Sequence, residues 1–461
     1  MTFKRSGEPG EIELKVTLFR NGKKLENEQG ASDLQQFIRG VEIYESIEQA
    51  TLECMIIIED SAGLMNALTG SETFQVSIVG TIMDRAYNFR SYEIASRSRT
   101  NQGTDIYIVN CCSEEYVRNE ITNVFGHADT IFSGKTEASQ IVKYLVKNQK
   151  FIGSNKNLFA PETLNKHNFV VPNWRAFDTI YWIAQRTIRK KGSGKGYQNG
   201  FAFFENGMGF NFKSIDKMID DINEQDPSDT NTTSGKAKLY EYEYSPKNAD
   251  EGAQDPFKIK SVVFPNERNF LNGLRHGTWS GYSIGFDPVT ISSSIMGTST
   301  DMSVDAYRYS LEEMWKNMSH MGKNTTNPFS KADKEVKNMV DYPKRVRYSM
   351  LPNQNFDPKW WNKVNPQKSK NYESLVELQA YQWMRFESLK TIKLQVEIPG
   401  NLDLYVGCGI NIVIPNTFVS GSKTEIDRKY SGRYMIAALT HKTTGLKLIT
   451  ELFLVKDSVL K

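Results

Sequence analysis

Hydrophobic and polar positions alternate with a period of two near the start of the chain. Ile12, Leu14, Val16 and Leu18 are separated by Glu13, Lys15 and Thr17, the pattern of a strand with one buried face. Residues 50–58 begin alternating and turn continuously apolar, and Phe74–Val79, Tyr87–Arg97 and Asp105–Cys111 follow, the last two around a turn at Asn101-Gln-Gly103. Short strands at this spacing predict an antiparallel sandwich or barrel. A short helix is predicted over 32–39, with Ser32 as N-cap and Gly40 just past its end.

The period changes near Ser113. Val142, Leu145 and Val146 give a helical stripe within 137–149, and Trp174, Phe177, Tyr181, Ala184 and Ile188 recur at steps of three and four after Pro172. Asn173 is placed to cap this second helix, and Arg186, Arg189, Lys190 and Lys191 complement the dipole at its end. Phe201–Glu205 and Met208–Phe212 flank Asn206-Gly207, a pair that favours a type I′ hairpin turn. Residues 220–238 read as a polar linker. Strand signals resume at Leu239–Tyr244, Lys258–Phe264 and Thr278–Phe286, stop after Pro288, and return at Leu389–Ile398, Gly409–Ile414, Gly432–His441 and Leu446–Val455. Helix signals at Leu311–Trp315 and Ser374–Phe386 lie between them.

The pattern predicts an α+β, mainly antiparallel β chain. Its predicted divisions are a first β-barrel domain (1–115), an α/β domain (116–235) and a second β-barrel domain (236–461), the last interrupted by a largely helical insertion at about 291–384. The two β parts share a signature: Tyr92-Glu-Ile-Ala95 with Gly103, and Tyr434-Met-Ile-Ala437 with Gly445, fall at identical offsets. Two strands precede each signature, which points to an internal duplication.

Composition narrows the function. Across 461 residues, 57 Lys and Arg against 54 Asp and Glu leave a net charge of +3, too balanced for a dedicated duplex-DNA binder. The N-terminus lacks an apolar signal region, and no stretch reaches the ~20 apolar residues of a membrane helix. Four cysteines without a C-x-x-C spacing read as reduced thiols of a cytosol-made chain, so the N-x-S/T triplets carry no meaning. Five scattered histidines, no H-E-x-x-H and no G-x-S-x-G predict no catalytic, cofactor-binding or metal-binding residues. His441 reads as a structural strand histidine. Gly192-Ser-Gly-Lys-Gly196 follows a helix and lacks the rest of a phosphate loop, so it reads as a turn. Glu114-Glu115 and Asp220-Asp221 read as solvated ends of elements.

One local excess remains. Residues 341–370 carry seven basic against two acidic residues, with Trp360-Trp361 embedded. Basic residues interleaved with aromatics suit nucleic acid or an acidic protein face, and docking on a partner is the preferred reading. The candidate contact residues are Lys344, Arg345, Arg347, Trp360, Trp361 and Lys363.

Several stretches resemble the baseplate hub proteins of contractile-tailed bacteriophages, the gene-product-27-like family of T-even-type viruses. They are Val170-Val-Pro-Asn-Trp174 with Phe177-Asp178 and Trp182, the aromatic hairpin Gly200–Asp216, Val396–Asn401 with Leu404–Gly407 and Ile412–Pro415, and Ser431–Ile436 with His441. They span about 170–456, and the region 291–384 is outside the resemblance. The resemblance implies two tube-type barrels per chain and a homotrimeric ring that joins a sixfold tail tube to a trimeric central spike. Genomic DNA would pass transiently through the ring, and tube-initiator or baseplate wedge proteins are further implied partners. It also implies a place in the virion tail, assembled in the host cytoplasm. Rival expectations are the hub portion of a type VI secretion or tailocin spike, a tail-associated cell-wall hydrolase, and a glycan-binding module suggested by Trp360-Trp361. The chain's end at Lys461, right after the last predicted strand, favours a separate hub over a spike that continues into further domains.

Overall fold

The computed structural model describes residues 8–25, 34–64, 68–70, 72–101, 103–125, 130–190, 198–227, 238–244, 255–265, 269–287, 292–293, 307–350, 371–416 and 425–461. The first β part holds β1 (Ile12–Arg20), β2 (Lys23–Lys24), β3 (Ile38–Ser46), β4 (Glu53–Asp60), β5 (Thr73–Gly80), β6 (Asp84–Arg99) and β7 (Asp105–Cys112). Their alternation places Leu14, Val16, Ile43, Ile56, Phe74, Val76, Phe89 and Val109 in one buried cluster. Full burial of each such side chain is worth about 1.5–3 kcal/mol. The helix expected over 32–39 is confined, among the described residues, to a 3-10 turn at Gln35–Phe37. Arg39 and Gly40 already belong to β3, because Val41 and Ile43 are needed in the core.

The middle part contains α1 (Glu114–Ile121), β8 (Ile131–Glu137), α2 (Ala138–Lys147), β9 (Leu158–Phe159), β10 (Lys166–Val170), α3 (Ala176–Ala184), β11 (Phe201–Asn206), β12 (Gly209–Ser214) and α4 (Ile215–Glu224). Phe177 of α3 meets Phe203 of β11 edge-on at 5.2 Å, inside a core shared with α2. Helix α3 starts later than expected, and Asn173 does not cap it. Asn119 of α1 does so instead, accepting from the Phe177 N–H at 2.8 Å. The hairpin forms, but Asn206 pairs with Gly209 and the turn residues are Gly207-Met208. A type I′ turn needs positive φ at both central residues, and neither has it. Tertiary bonds explain the difference: Gly207 N–H donates to Glu45, and the Asn206 side chain donates to the Val406 carbonyl. Residues 220–224, expected as linker, close α4, whose Ile215, Met218, Ile219 and Ile222 are buried.

The second β part opens with β13 (Tyr240–Glu243) and β14 (Ser261–Val263). The chain then leaves this sheet through α5 (Phe270–His276), β15 (Ser280–Asp287), β16 (Ser292–Ser293), β17 (Tyr307–Ser310), α6 (Leu311–Trp315), β18 (Thr325–Thr326), α7 (Lys334–Asp341), β19 (Arg345–Met350) and α8 (Asn371–Leu389). It returns in β20 (Ile392–Pro399), β21 (Gly409–Val413), β22 (Gly432–Thr444) and β23 (Lys447–Lys456), and β24 (Val459–Leu460) then pairs with β18 of the excursion. The excursion therefore begins after β14 rather than near 291. Strand β15 pairs with β16, β17 and β19 in a sheet of its own, not with the barrel strands. The excursion has its own small core around Trp279, Tyr309, Met314 and Tyr381.

The two β parts share one path. The first runs β3-β4-β7-β6-β5-β1 and the second β14-β20-β23-β22-β21-β13. Matched in chain order, every neighbour relation is the same, and only the last pair differs, β1–β5 antiparallel and β13–β21 parallel. In both, the segment leading into the second strand reaches back to the first. Leu34 N–H donates to the Val16 carbonyl, and Ile259 N–H to that of Glu243. These joints are local, so neither ladder is a continuously closed barrel among the described residues. The signature residues differ in setting: Tyr92 is exposed and Tyr434 buried. The parts also merge, because Ala438–Lys442 of β22 pairs with β3 in one 13-stranded sheet. The β22–β23 ladder has a bulge between Ile436 and Ala438, where β22 changes partner from β21 to β3. Bulges bend a strand and re-aim it.

Candidate partner interface and buried joints

Of the predicted contact residues, Lys344, Arg345 and Arg347 lie among the described residues. Arg347 lies on β19 with its guanidinium 3.2 Å from the Trp383 ring centroid. It also donates to the Tyr309 hydroxyl and the His276 carbonyl, each at 3.3 Å. Its partners on α8, β17 and α5 make it a clamp within the excursion. Lys344 and Arg345 are exposed beside it. Trp360, Trp361 and Lys363 lie outside the described residues.

Sequence reasoning missed a fully buried arginine. Arg385, on the inner face of α8, donates to Asp457 and to the Ser319 carbonyl, each at 2.8 Å, and lies 3.6 Å from Asp216. Asp216 accepts from Tyr381 at 2.9 Å and from Ser319 N–H at 2.8 Å. Asp457 accepts from Met321 N–H at 3.0 Å and faces the His320 Nδ1 at 3.0 Å. Helix α4, the excursion and the end of β23 are thus fastened at one point. Burial pushes the Asp457 carboxyl up, but Arg385 and the surrounding donors outweigh it and hold it below the ordinary range. Burial dominates at Asp216, which sits farther from the arginine, and raises it.

Two further joints use buried acids. Glu45 on β3 accepts from Gly207 N–H at 2.9 Å and Val406 N–H at 3.0 Å, linking all three parts. Burial pushes it up to about 7 against the pull of Arg85 and these amides. Glu115 is not the solvated end expected from sequence: it is buried, takes a bond from Ser154 and shares Lys156 with Glu205 at 2.6 Å. Asp220 pairs with Arg189 at 2.7 Å, and Asp221 bridges Lys213 and Lys217. Three of the basic residues after α3 thus make side-chain contacts, Arg189 with Asp220, Arg186 stacked 4.0 Å above Trp182 and Lys190 paired with Glu162, and Lys191 lies outside the described residues.

The described histidines lie apart from one another. His441 is buried with Nδ1 3.0 Å from the Thr450 hydroxyl, and burial lowers it to about 3. His167 is buried without a hydrogen-bond partner for either ring nitrogen and is likewise lowered to about 3. His320 stacks on Trp315 at 3.7 Å. Among the described residues no three His, Cys, Asp or Glu side chains are grouped to hold a metal. Cys54, Cys111, Cys112 and Cys408 are buried free thiols. No described helix is long and apolar enough to cross a membrane. Among the described residues, these buried charges fasten elements together.

No protein-family profile and no curated protein matches the chain. Solved structures do. The chain is similar to the tail protein from Neisseria meningitidis MC58 at 9% identity and a TM-score of 0.53, over 96% of this chain and 97% of that one. It is similar to the 43 kDa tail protein of prophage MuSo2 from Shewanella oneidensis at 7% identity and a TM-score of 0.49, over 96% and 98%. A third is an Escherichia coli component of the type VI secretion system, at 8% identity and a TM-score of 0.37 over 91% and 73%. At these identities the likeness to the Neisseria protein establishes a common fold over nearly the full chain.

Proposed function

We propose that the chain is a structural hub of a contractile tail, three copies forming a ring between a sixfold tube and a trimeric spike. The observation that carries the reading is the repeated strand path within one chain. Three chains with two equivalent β parts present six similar units on a threefold axis, which is what a sixfold-to-threefold adaptor requires. The fold shared with a tail protein supports the same reading, as does the use of buried charge for joints rather than chemistry. A net charge of +3 suits a lumen through which DNA must pass, since many phosphate contacts would hold it. The partners are then the chain itself, the spike, and a tube or tube-initiator protein, with wedge proteins around the ring. The location is the baseplate of a virion.

The chain is to be measured by mass photometry and negative-stain imaging, alone and mixed with a candidate spike protein from the same genome. The expected species is a ring of three chains, with the spike or without it. A monomer under both conditions overturns the proposal. The identity of the co-assembling spike distinguishes a phage tail from a tailocin or type VI machine.

A further inference from the structure

A groove of about 500 Å³ lies on the seam between the excursion and the second β part. One wall is aromatic. Trp279 meets Phe270 at 5.4 Å and Phe329 edge-on at 5.1 Å. The other wall is aliphatic, from Val459 and Leu460 of β24 and Ile392 at the start of β20. Strand β24 pairs with β18, Thr325 opposite Leu460 and Thr326 opposite Val459, so the two walls are tied by backbone bonds. Ser458 adds a 2.7 Å bond to the Met321 carbonyl. The seam also adjoins the Arg385 joint through Asp457. The groove is thus built before any ligand arrives, which lowers the ordering cost of binding.

Among the described residues, the charged side chains that line the groove are Lys331 on the excursion and Arg428 and Lys429 on the second β part. All three residues are exposed. The nearest acid in sequence, Asp427, turns its carboxylate to the backbone N–H groups of Lys429 and Tyr430, at 2.8 and 3.1 Å. Arg428 donates to the Lys461 carbonyl at 3.3 Å, which holds it at the rim. An apolar trough rimmed by cations complements an apolar anchor flanked by carboxylates. Stacked bases with phosphates would also meet cations. However, the aliphatic wall offers neither stacking partners nor donors for base edges, which favours a peptide.

We propose that this groove docks an acidic segment of a partner protein, one that inserts an aromatic or aliphatic side chain between Trp279 and β24. The site is distinct from the 341–370 cluster and does not depend on the ring reading.

The test is a random dodecapeptide library selected on the immobilised full-length chain, followed by fluorescence anisotropy of the enriched peptides. Enriched sequences are expected to carry two or more Asp or Glu beside Trp, Phe or Leu. Affinity is expected to fall at least tenfold in the triple variant Lys331→Glu/Arg428→Glu/Lys429→Glu, and as much in Ser330→Trp, which fills the groove and keeps its charge. Raising salt from 0.05 to 0.5 M is expected to weaken binding several-fold. Thermal melts of each variant report folding; if the triple variant melts early, Ser330→Trp and Lys331→Gln carry the test. Enrichment of neutral or basic peptides, no enrichment over bare support, or equal affinity for the variants overturns the proposal. Displacement of the peptide by a single-stranded DNA 20-mer assigns the groove to nucleic acid and overturns it equally.

Discussion

Arg385→Met removes the guanidinium at the three-way joint while keeping most of the aliphatic volume. Both Asp216 and Asp457 are then left in a site with no exposure and no counter-charge from α8. Breaking a buried pair by deleting one partner costs about 3–5 kcal/mol. Asp216 keeps its bonds from Tyr381 and Ser319 N–H, and Asp457 keeps Met321 N–H and His320. These remaining donors put the expected loss at the lower end, about 3 kcal/mol. The readout is urea unfolding at pH 7.5, followed by far-UV circular dichroism and tryptophan fluorescence. Trp315 stacks on His320 and reports on the joint itself. A chain of this size does not promise a single transition, so the comparison is between the fluorescence midpoints of the variants. The triple variant Arg385→Met/Asp216→Asn/Asp457→Asn is expected to regain more than half of the loss, because the uncompensated charges are gone. The acid side adds a sign. Asp457 titrates below its unfolded value near ~3.9, so its contribution is present above that pH and is lost as pH falls below it. Arg385→Met is expected to flatten that acid limb. A loss under about 1 kcal/mol, or a triple variant no more stable than the single one, refutes the reasoning.

Lys456 is buried, donates to the Ser431 carbonyl at 2.7 Å and is pushed down to about 7 by burial. Its folded form gives up a proton that the unfolded chain holds up to ~10.4, so its burial cost is full below pH 7 and is relieved as pH rises. The stability of the wild type relative to Lys456→Met is expected to rise by about 1.4 kcal/mol per unit between pH 7.5 and 9, read by urea midpoints; a constant difference refutes it. Gly209 has φ +130, and an added Cβ would run into the Asn157 carbonyl that bonds Phe210 N–H. Gly209→Ala is expected to cost about 2 kcal/mol or more and to loosen β9 from β12, seen as faster amide exchange at Phe210; unchanged exchange there counts against it.

Strands with one wet face were legible because alternation records burial directly. β1, β5 and β7 lie where the period of two places them. Local patterns fail where a distant group supplies what a neighbour normally would. Asn173 looked like a cap, but Asn119 caps α3. The Asn-Gly pair looked like a type I′ turn, but Glu45 and Val406 claim its polar groups. Arg347 takes its partners Trp383, Tyr309 and the His276 carbonyl from three other elements, which its own neighbours in sequence do not show. Arg385 left no trace in the sequence, since a helix arginine is ordinarily solvated and its two acids come from α4 and the end of β23.

The two β parts are alike in strand path and not in their side chains. Four identical side chains at matching offsets suggested duplication, yet Tyr92 faces solvent and Tyr434 is buried, so those residues do not hold equivalent positions. What the two parts share is connectivity, which side-chain identity need not preserve. The β3–β4 connection in the first part is a tight link, and the corresponding β14–β20 connection carries the whole excursion. An insertion at that point leaves every ladder bond of the sheet intact while placing a separate folded unit at its margin. The Arg385 joint and the β18–β24 pairing then fasten that unit down. The paired β24 lines the groove rimmed by Lys331, Arg428 and Lys429, and Asp457 of the joint stands two residues before Val459. A rigid seam at that place is what a docking surface needs, and an excursion that moved freely could not provide it.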